Sequence, residues 1–119
     1  MASNIIEIKD LGEKHPSEII KFWFDLTGNT AFQGSSAETI DENATWRVVT
    51  TSDTSTDLSS SMVNTSDYDN TLKRIAVEIQ AGTDGISYYV IGLLQVASDR
   101  KYVVAGKLLV TDHGIDVSF

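Results

Sequence analysis

The chain has 119 residues and a formal net charge of -8, with 41% hydrophobic and 22% charged residues. This length suits one domain with a single hydrophobic core, and the composition argues against disorder over the whole chain. The acidic balance argues against broad nucleic-acid binding, which needs a basic face. The absence of cysteine excludes a disulfide framework, a thiolate zinc site and a thiol nucleophile.

The N-terminal segment has no basic region followed by a long apolar run, so we expect no signal peptide. The longest apolar stretches fall far short of the ~20 residues that a membrane-spanning helix needs. We therefore expect a protein that is made in a cytoplasm, stays soluble and has no membrane partner.

Apolar residues that alternate with a period of two predict short strands in the N-terminal half. Trp46 is predicted to anchor one of these strands between two sheets. Residues 9–17 contain Gly12 and the only proline, Pro16, and are predicted to form a loop. The predicted strands cover residues 4–8, 19–26 and 45–50, and a second loop covers residues 28–37.

Residues 52–70 are dominated by Ser, Thr, Asp and Asn. A structureless loop of this length is unusual inside a compact domain, so we predict one irregular edge strand near residues 61–65. The alternative is a mobile loop that becomes ordered on a partner.

The C-terminal half gives the clearest strand pattern. Gly82 and Gly85 belong to a turn, because glycine adopts a positive φ without strain. The apolar run at residues 89–96 is unusually long, which indicates burial on both faces or packing of one face against another subunit. The predicted strands cover residues 72–81, 87–97 and 102–111, with a short final strand at 115–119.

Strands at regular spacing, without a sustained helical period, predict an antiparallel sandwich or a small barrel. A series of short motifs follows the same order along the chain. The motifs are Thr39-Ile40, Trp46-x-Val48, Val77-x-Ile79-x-Ala81-Gly82-Thr83-Asp84-Gly85-x-x-Tyr88-x-Val90 and Leu108-x-Val110.

This order resembles the immunoglobulin-like (Ig-like) module of small phage virion proteins, including the phage fibre-tail adaptor family. The resemblance covers residues 22–111, and Ala81-Gly82 stands where the family commonly has two glycines. It implies an all-β fold, an Ig-like antiparallel β-sandwich over residues 18–119. An N-terminal arm or first strand at residues 1–17 precedes the sandwich.

Four residues of these motifs have predicted structural roles. Tyr88 lies three residues after Gly85, where a corner tyrosine ties down a backbone carbonyl with its hydroxyl. Trp46 fills the space between the sheets, and Gly82 and Gly85 form the turn. We expect these residues to be structural rather than functional.

No residue pattern indicates catalysis, so we expect a protein that is not an enzyme. His15 and His113 lie near opposite ends of the chain, and no Gly-x-Ser-x-Gly elbow accompanies the many serines. Asp67, Asp69 and Asn70 offer oxygen ligands, but without the full calcium-loop pattern a solvated acidic turn is favoured. We expect no catalytic residue, no metal and no cofactor.

The resemblance implies a virion structural protein, an adaptor in the tail or neck region that connects a fibre or neighbouring subunits. Its expected partners are tail, fibre or capsid subunits, with homo-oligomers in the assembly and no nucleic acid. The N-terminal arm up to Pro16 is a candidate for pairing with the sheet edge of a neighbour. Four apolar loop residues are candidate contacts, each with packing under its own loop as the equal alternative: Phe32, Leu58, Met62 and Tyr68.

Two other functions stay open. A capsid decoration (cement) protein has the same acidic, cysteine-free, Ig-like profile and binds a lattice in many copies as a symmetric oligomer. A carbohydrate-binding module needs an exposed aromatic platform, and Trp23, on the polar face of its predicted strand, is the candidate for one.

Overall fold

The computed structural model describes residues 8–115, which form a sandwich of two β-sheets. Two short helical turns interrupt the strands, a 3-10 turn at Thr30–Phe32 and α1 at Ser59–Met62. The strands are β1 (Ile8–Lys14), β2 (Ile20–Asp25), β3 (Thr45–Thr50), β4 (Val63–Asp69), β5 (Arg74–Ile79), β6 (Ile86–Gln95) and β7 (Lys101–Val110).

The strand order is that of an Ig-like sandwich. One sheet has four strands in the order β1-β7-β6-β3, and the other has three in the order β2-β5-β4. The predicted all-β sandwich is therefore confirmed. One detail differs, because β1 runs parallel to β7 whereas every other strand pair of the described chain is antiparallel. The chain crosses to the other sheet after β1, which leaves β1 able to align in either direction.

The hydrophobic core lies between the two sheets, as the period-two patterns of β3, β5, β6 and β7 require. Trp46 from β3 and Phe24 from β2 meet across the sandwich with ring centroids 5.4 Å apart. Gly92 on β6 makes room for the indole, because a Cβ there would lie 2.7 Å from Cζ3 of Trp46. Trp46 thus occupies the place between the sheets that the sequence predicts.

The prediction of a loop at residues 9–17 is wrong for residues 9–14, since β1 extends to Lys14. Gly12 adopts a φ of 80° and lies where the register of β1 against β7 shifts. A glycine bulge in an edge strand has the same sequence signature as a turn, which explains the error. Pro16 follows the strand and forms part of the turn that leads towards β2.

Residues 52–70 are more ordered than their composition indicates. The predicted edge strand near residues 61–65 is present as β4, which begins at Val63 and forms an edge of the three-stranded sheet. The preceding loop folds back against the free edge of β3. There the Val48 amide donates to Oδ1 of Asp57 at 3.2 Å, and the Val48 carbonyl accepts from the Leu58 amide at 2.6 Å. The Asp57 side chain and the loop backbone thus fill the hydrogen-bonding groups of Val48 at this edge, which are otherwise open to pairing with another strand.

Two predicted strands lie outside the described residues, apart from one terminal residue of each. These are the strand at residues 4–8, of which Ile8 opens β1, and the strand at residues 115–119, of which Ile115 follows a turn.

Candidate protein-binding surface

The outward side of the four-stranded sheet is apolar where its two longest strands meet. In β6, Tyr88, Val90 and Leu94 are buried in the core, so the residues between them face away from it. Leu93 is paired with Val103 of β7. We call the following set the outer apolar face: Ile8, Tyr89, Ile91, Leu93, Val103 and Ala105.

These residues form a continuous surface across three strands. Ala105 has Ile91 on one side and Ile8 on the other, and it is only 7% exposed. The rim is open to solvent, with Leu93 40%, Val103 42% and Ile8 49% exposed. A contiguous apolar patch of this kind marks a protein interaction site, whereas scattered exposed apolar residues need no explanation.

Charged side chains border the outer apolar face. Lys107 of β7 is paired with Tyr89 on one side and with Asp10 of β1 on the other. Arg47 of β3 is paired with Ile91. An apolar centre with a polar rim is the usual anatomy of a protein–protein interface.

The loop after β3 limits the outer apolar face at that side. The Arg47 guanidinium donates to the carbonyl oxygens of Thr54 and Ser55 at 3.0 and 3.2 Å, which holds the loop beside β3. Val49 is fully buried although it is not part of the core between the sheets. The residues open to a partner therefore lie on β6, β7 and β1.

The outward side of the three-stranded sheet has a different character. Trp23 of β2 packs against two cations, with Cζ of Arg74 4.0 Å and Nζ of Lys21 4.8 Å from its ring centroid. Lys21 also forms an ion pair of 3.0 Å with Asp67, and its hydrogen bond lowers the pKa of that carboxyl. The Arg74 side chain lies 3.5 Å from Asp69. The indole of Trp23, the candidate for an exposed sugar-binding platform, is thus already stacked against protein side chains.

The four predicted contact residues do not form one surface. Phe32 is 2% exposed and packs edge-on against Tyr102, with ring centroids 4.9 Å apart. Met62 is 3% exposed, and its Cε lies beside Gly82, where it would be 3.3 Å from an added Cβ. For these two residues the alternative of packing under their own loops is what the structure shows. A partner cannot contact them without opening the core.

The other two predicted contact residues are more accessible. Leu58 is partly buried and packs against the core. Tyr68 is 36% exposed, and its hydroxyl donates to the carbonyl of Asp41 at 3.3 Å. Neither belongs to the outer apolar face.

Three of the four predicted structural residues lie in or beside the turn between β5 and β6. The Tyr88 hydroxyl accepts a 2.8 Å hydrogen bond from the Thr83 amide, so its partner is an N–H and not the carbonyl that we expected. Gly82 and Gly85 have φ values of 97° and 82°. A Cβ on Gly82 would also lie 2.8 Å from Cγ2 of Val110, so both conformation and space require glycine there.

Titratable side chains of the described chain are engaged in local structure. His113 contacts Glu13 at 2.6 Å, which ties the turn after β7 to β1. Nδ1 of His15 accepts from the Ser17 amide at 3.0 Å. Hydrogen bonds from the hydroxyl and amide of Ser55 lower the pKa of Asp53, as in a side-chain-stabilised turn. Within residues 8–115, no group of three or more His, Asp or Glu side chains is placed to hold a metal ion.

Only half of the outer apolar face belongs to a pattern that the sequence made clear. The apolar run at residues 89–96 predicts burial on both faces or packing of one face against another subunit, but no pattern assigned Val103, Ala105 or Ile8 to that surface. The signal was present, since β7 also has apolar residues at both alternating positions. Only the pairing of β1 with β7 adds Ile8 to the surface.

Comparison with known proteins assigns no family. No family model matches the chain, and no curated protein matches it. Among residues 8–115, no helix has the length and apolar character required to cross a membrane. Function is therefore inferred from the outer apolar face and from the motifs of the sequence.

Proposed function

We propose that the protein is a structural component of a phage virion, an adaptor in the tail or neck region that connects a fibre or neighbouring subunits. The observation that carries this proposal is the outer apolar face. Exposing Leu93, Val103 and Ile8 together to water is unfavourable in free energy, and a protein partner that covers them removes this penalty.

The anatomy of the surface supports protein contact over other modes of binding. The outer apolar face lies on paired strands and not on a deep cavity, so it fits a flat partner better than a small molecule. Its bordering charges, Lys107, Asp10 and Arg47, suit hydrogen bonds and ion pairs at a rim. The net charge of -8 opposes contact with nucleic acid.

The location in a virion is supported by the motifs that resemble phage Ig-like modules. The partners are then tail, fibre or capsid subunits, and the protein is made in the host cytoplasm before assembly. Rigid sandwiches suit this role because their sheets present side chains in fixed positions, which lowers the entropic cost of binding.

Copy number in purified virions tests the proposal. Quantitative mass spectrometry relative to the major capsid protein is expected to give a ratio of a few per cent or less, because tail and neck positions are few. A ratio near one identifies a capsid decoration protein instead and overturns the adaptor role. Complete absence from the particle overturns the virion role as a whole.

A further inference from the structure

We infer that the outer apolar face binds a second copy of this chain, giving a dimer in which two four-stranded sheets pack face to face. The inference deepens the proposed function and rests on it, since it names the partner at the surface that carries that function. The arrangement follows from the strand register, the rim charges and the area of the sheet.

The register makes the outer apolar face self-complementary. Leu93 is paired with Val103, Ile91 with Ala105, and Tyr89 with Lys107, always with the first residue on β6 and the second on β7. Consider a two-fold axis between the two copies that runs parallel to the strands and lies above the gap between β6 and β7. Rotation about this axis places β6 of one copy opposite β7 of the other, and residues that are cross-strand pairs within one copy stay at the same height along the strands. Each residue of β6 then faces its own paired residue of β7 on the second copy, as an isologous interface requires.

The facing pairs are chemically compatible. Leu93 meets Val103 and Ile91 meets Ala105, so that apolar side chains interdigitate between sheets about 10 Å apart. Lys107 meets the ring of Tyr89, where a cation over an aromatic face is stabilising. The same operation brings the β1 side of one copy to the β3 side of the other, where Ile8 lies in the same row as Arg47 and Asp10 lies two residues further along the strand.

The charge of this face permits contact between identical copies. The whole chain has a net charge of -8, so most faces of two copies repel each other. On the four-stranded sheet, Asp10 is offset by its neighbour Lys107, and Arg47 adds a positive charge. Association through this side therefore keeps the acidic surfaces of the two copies apart.

The area is sufficient for a concentration-dependent dimer. The strands open to a partner are β6 and β7, with ten residues each, and β1, with seven. With a rise of ~3.3 Å per residue and strands ~4.8 Å apart, they cover roughly 430 Å². Two copies then bury about 860 Å², which is in the range of weak, transient interfaces.

Sedimentation velocity of the purified chain across a wide range of concentrations is the first test. We expect the sedimenting mass to rise from that of one chain, 13.0 kDa, to that of two. Leu93→Asp and Val103→Asp are expected to keep the mass of one chain throughout, with unchanged circular dichroism. Leu72→Asp is the matched control, since Leu72 is 55% exposed in the turn after β4 and should not affect the dimer.

Cysteine cross-linking tests the two-fold arrangement directly, because the chain has no native cysteine. Mixing the single variants Leu93→Cys and Val103→Cys under mild oxidation is expected to give more mixed disulfide than either variant gives with itself. Leu72→Cys with Val103→Cys supplies the background level. Equal cross-linking in all mixtures contradicts the face-to-face dimer.

The outcomes separate this inference from the proposed function. A wild-type chain that stays monomeric at every concentration overturns the dimer, and the virion copy number then still decides the adaptor role. If the chain is absent from virions but forms a dimer that Leu93→Asp disrupts, the inference on the partner is supported. Only the proposed role in a virion is then overturned. Dimers that survive both Leu93→Asp and Val103→Asp use another surface and overturn the inference.

Discussion

The ammonium of Lys14, at the end of β1, donates a 2.6 Å hydrogen bond to the carbonyl oxygen of Ala81 in the turn between β5 and β6. A second bond of 2.9 Å reaches the carbonyl of His15. Lys14 is 1% exposed, and burial lowers the pKa of its ammonium while the charge of Glu18 acts in the opposite direction. Ala81 has a left-handed φ of 57°, so this bond holds a strained turn against the edge of the other sheet.

Lys14→Met is expected to lower the free energy of unfolding by about 1–3 kcal/mol, because it leaves the Ala81 carbonyl without its buried donor. Methionine keeps most of the volume of the lysine stem, so the loss reports the hydrogen bonds and not a cavity. Urea unfolding at neutral pH measures the difference. A variant as stable as the wild type would show that desolvation of the ammonium cancels the bonds.

We also expect the stability difference between the wild type and Lys14→Met to depend on pH. The folded pKa of Lys14 lies below its unfolded value of 10.5, so between the two values the unfolded chain binds more protons. Stability from this group therefore rises as pH rises towards 10.5. We expect the stability of wild type minus that of Lys14→Met to increase with pH in that window. A flat or falling difference in the urea midpoints contradicts the shift.

Gly92→Ala is expected to destabilise the fold by about 1–3 kcal/mol through overpacking. Its Cβ would lie 2.7 Å from Cζ3 and 2.9 Å from Cη2 of Trp46, and the indole is held between the sheets by Phe24. Gly28→Ala is the control, since a Cβ there has nothing within 4 Å. Thermal melts of the two variants should differ clearly, and a stable Gly92→Ala protein would mean that Trp46 moves easily.

Tyr88→Phe is expected to cost about 1 kcal/mol, because it removes the acceptor of the Thr83 amide. Tyr89→Phe serves as the comparison, since the neighbouring hydroxyl lies on the outward side of the sheet and has no hydrogen bond within residues 8–115. Amide hydrogen exchange at Thr83 gives a local readout. Exchange at Thr83 should be faster in Tyr88→Phe and unchanged in Tyr89→Phe. Equal exchange in both variants would show that the Tyr88 hydroxyl does not protect the Thr83 amide.

The Asp57 carboxyl is expected to make the protein less stable in acid. The hydrogen bond from the Ser59 amide, followed by that from the Val48 amide, lowers the pKa of this carboxyl below 3.8. Stability from Asp57 is therefore present above 3.8 and is lost as pH falls through the folded pKa, because the unfolded chain takes up the proton first. Asp57→Ala should lose less stability than the wild type between neutral pH and the acid range. Parallel acid titrations of the urea midpoint for the two proteins would contradict this.

Local pattern was enough to predict β2, β3, β5, β6 and β7, because each is a period-two pattern or a short apolar run bounded by turn residues. It failed where the deciding contact is distant in the chain. Gly12 has the signature of a turn until β7 supplies a partner for β1, and burial of Phe32 depends on Tyr102, far along the chain. The outer apolar face needs the same pairing, since Ile8 joins Ala105 only through it.

The parallel pairing of β1 with β7 also has a consequence for synthesis. The first described strand borders the last one, so the four-stranded sheet cannot close until β7 has been synthesised. Since ribosomes add roughly 5–20 residues per second, β1 emerges several seconds before its partner. We expect a nascent or truncated chain without β7 to leave the strand edges of β1 and β6 open together, which makes it the form of this protein most prone to aggregate.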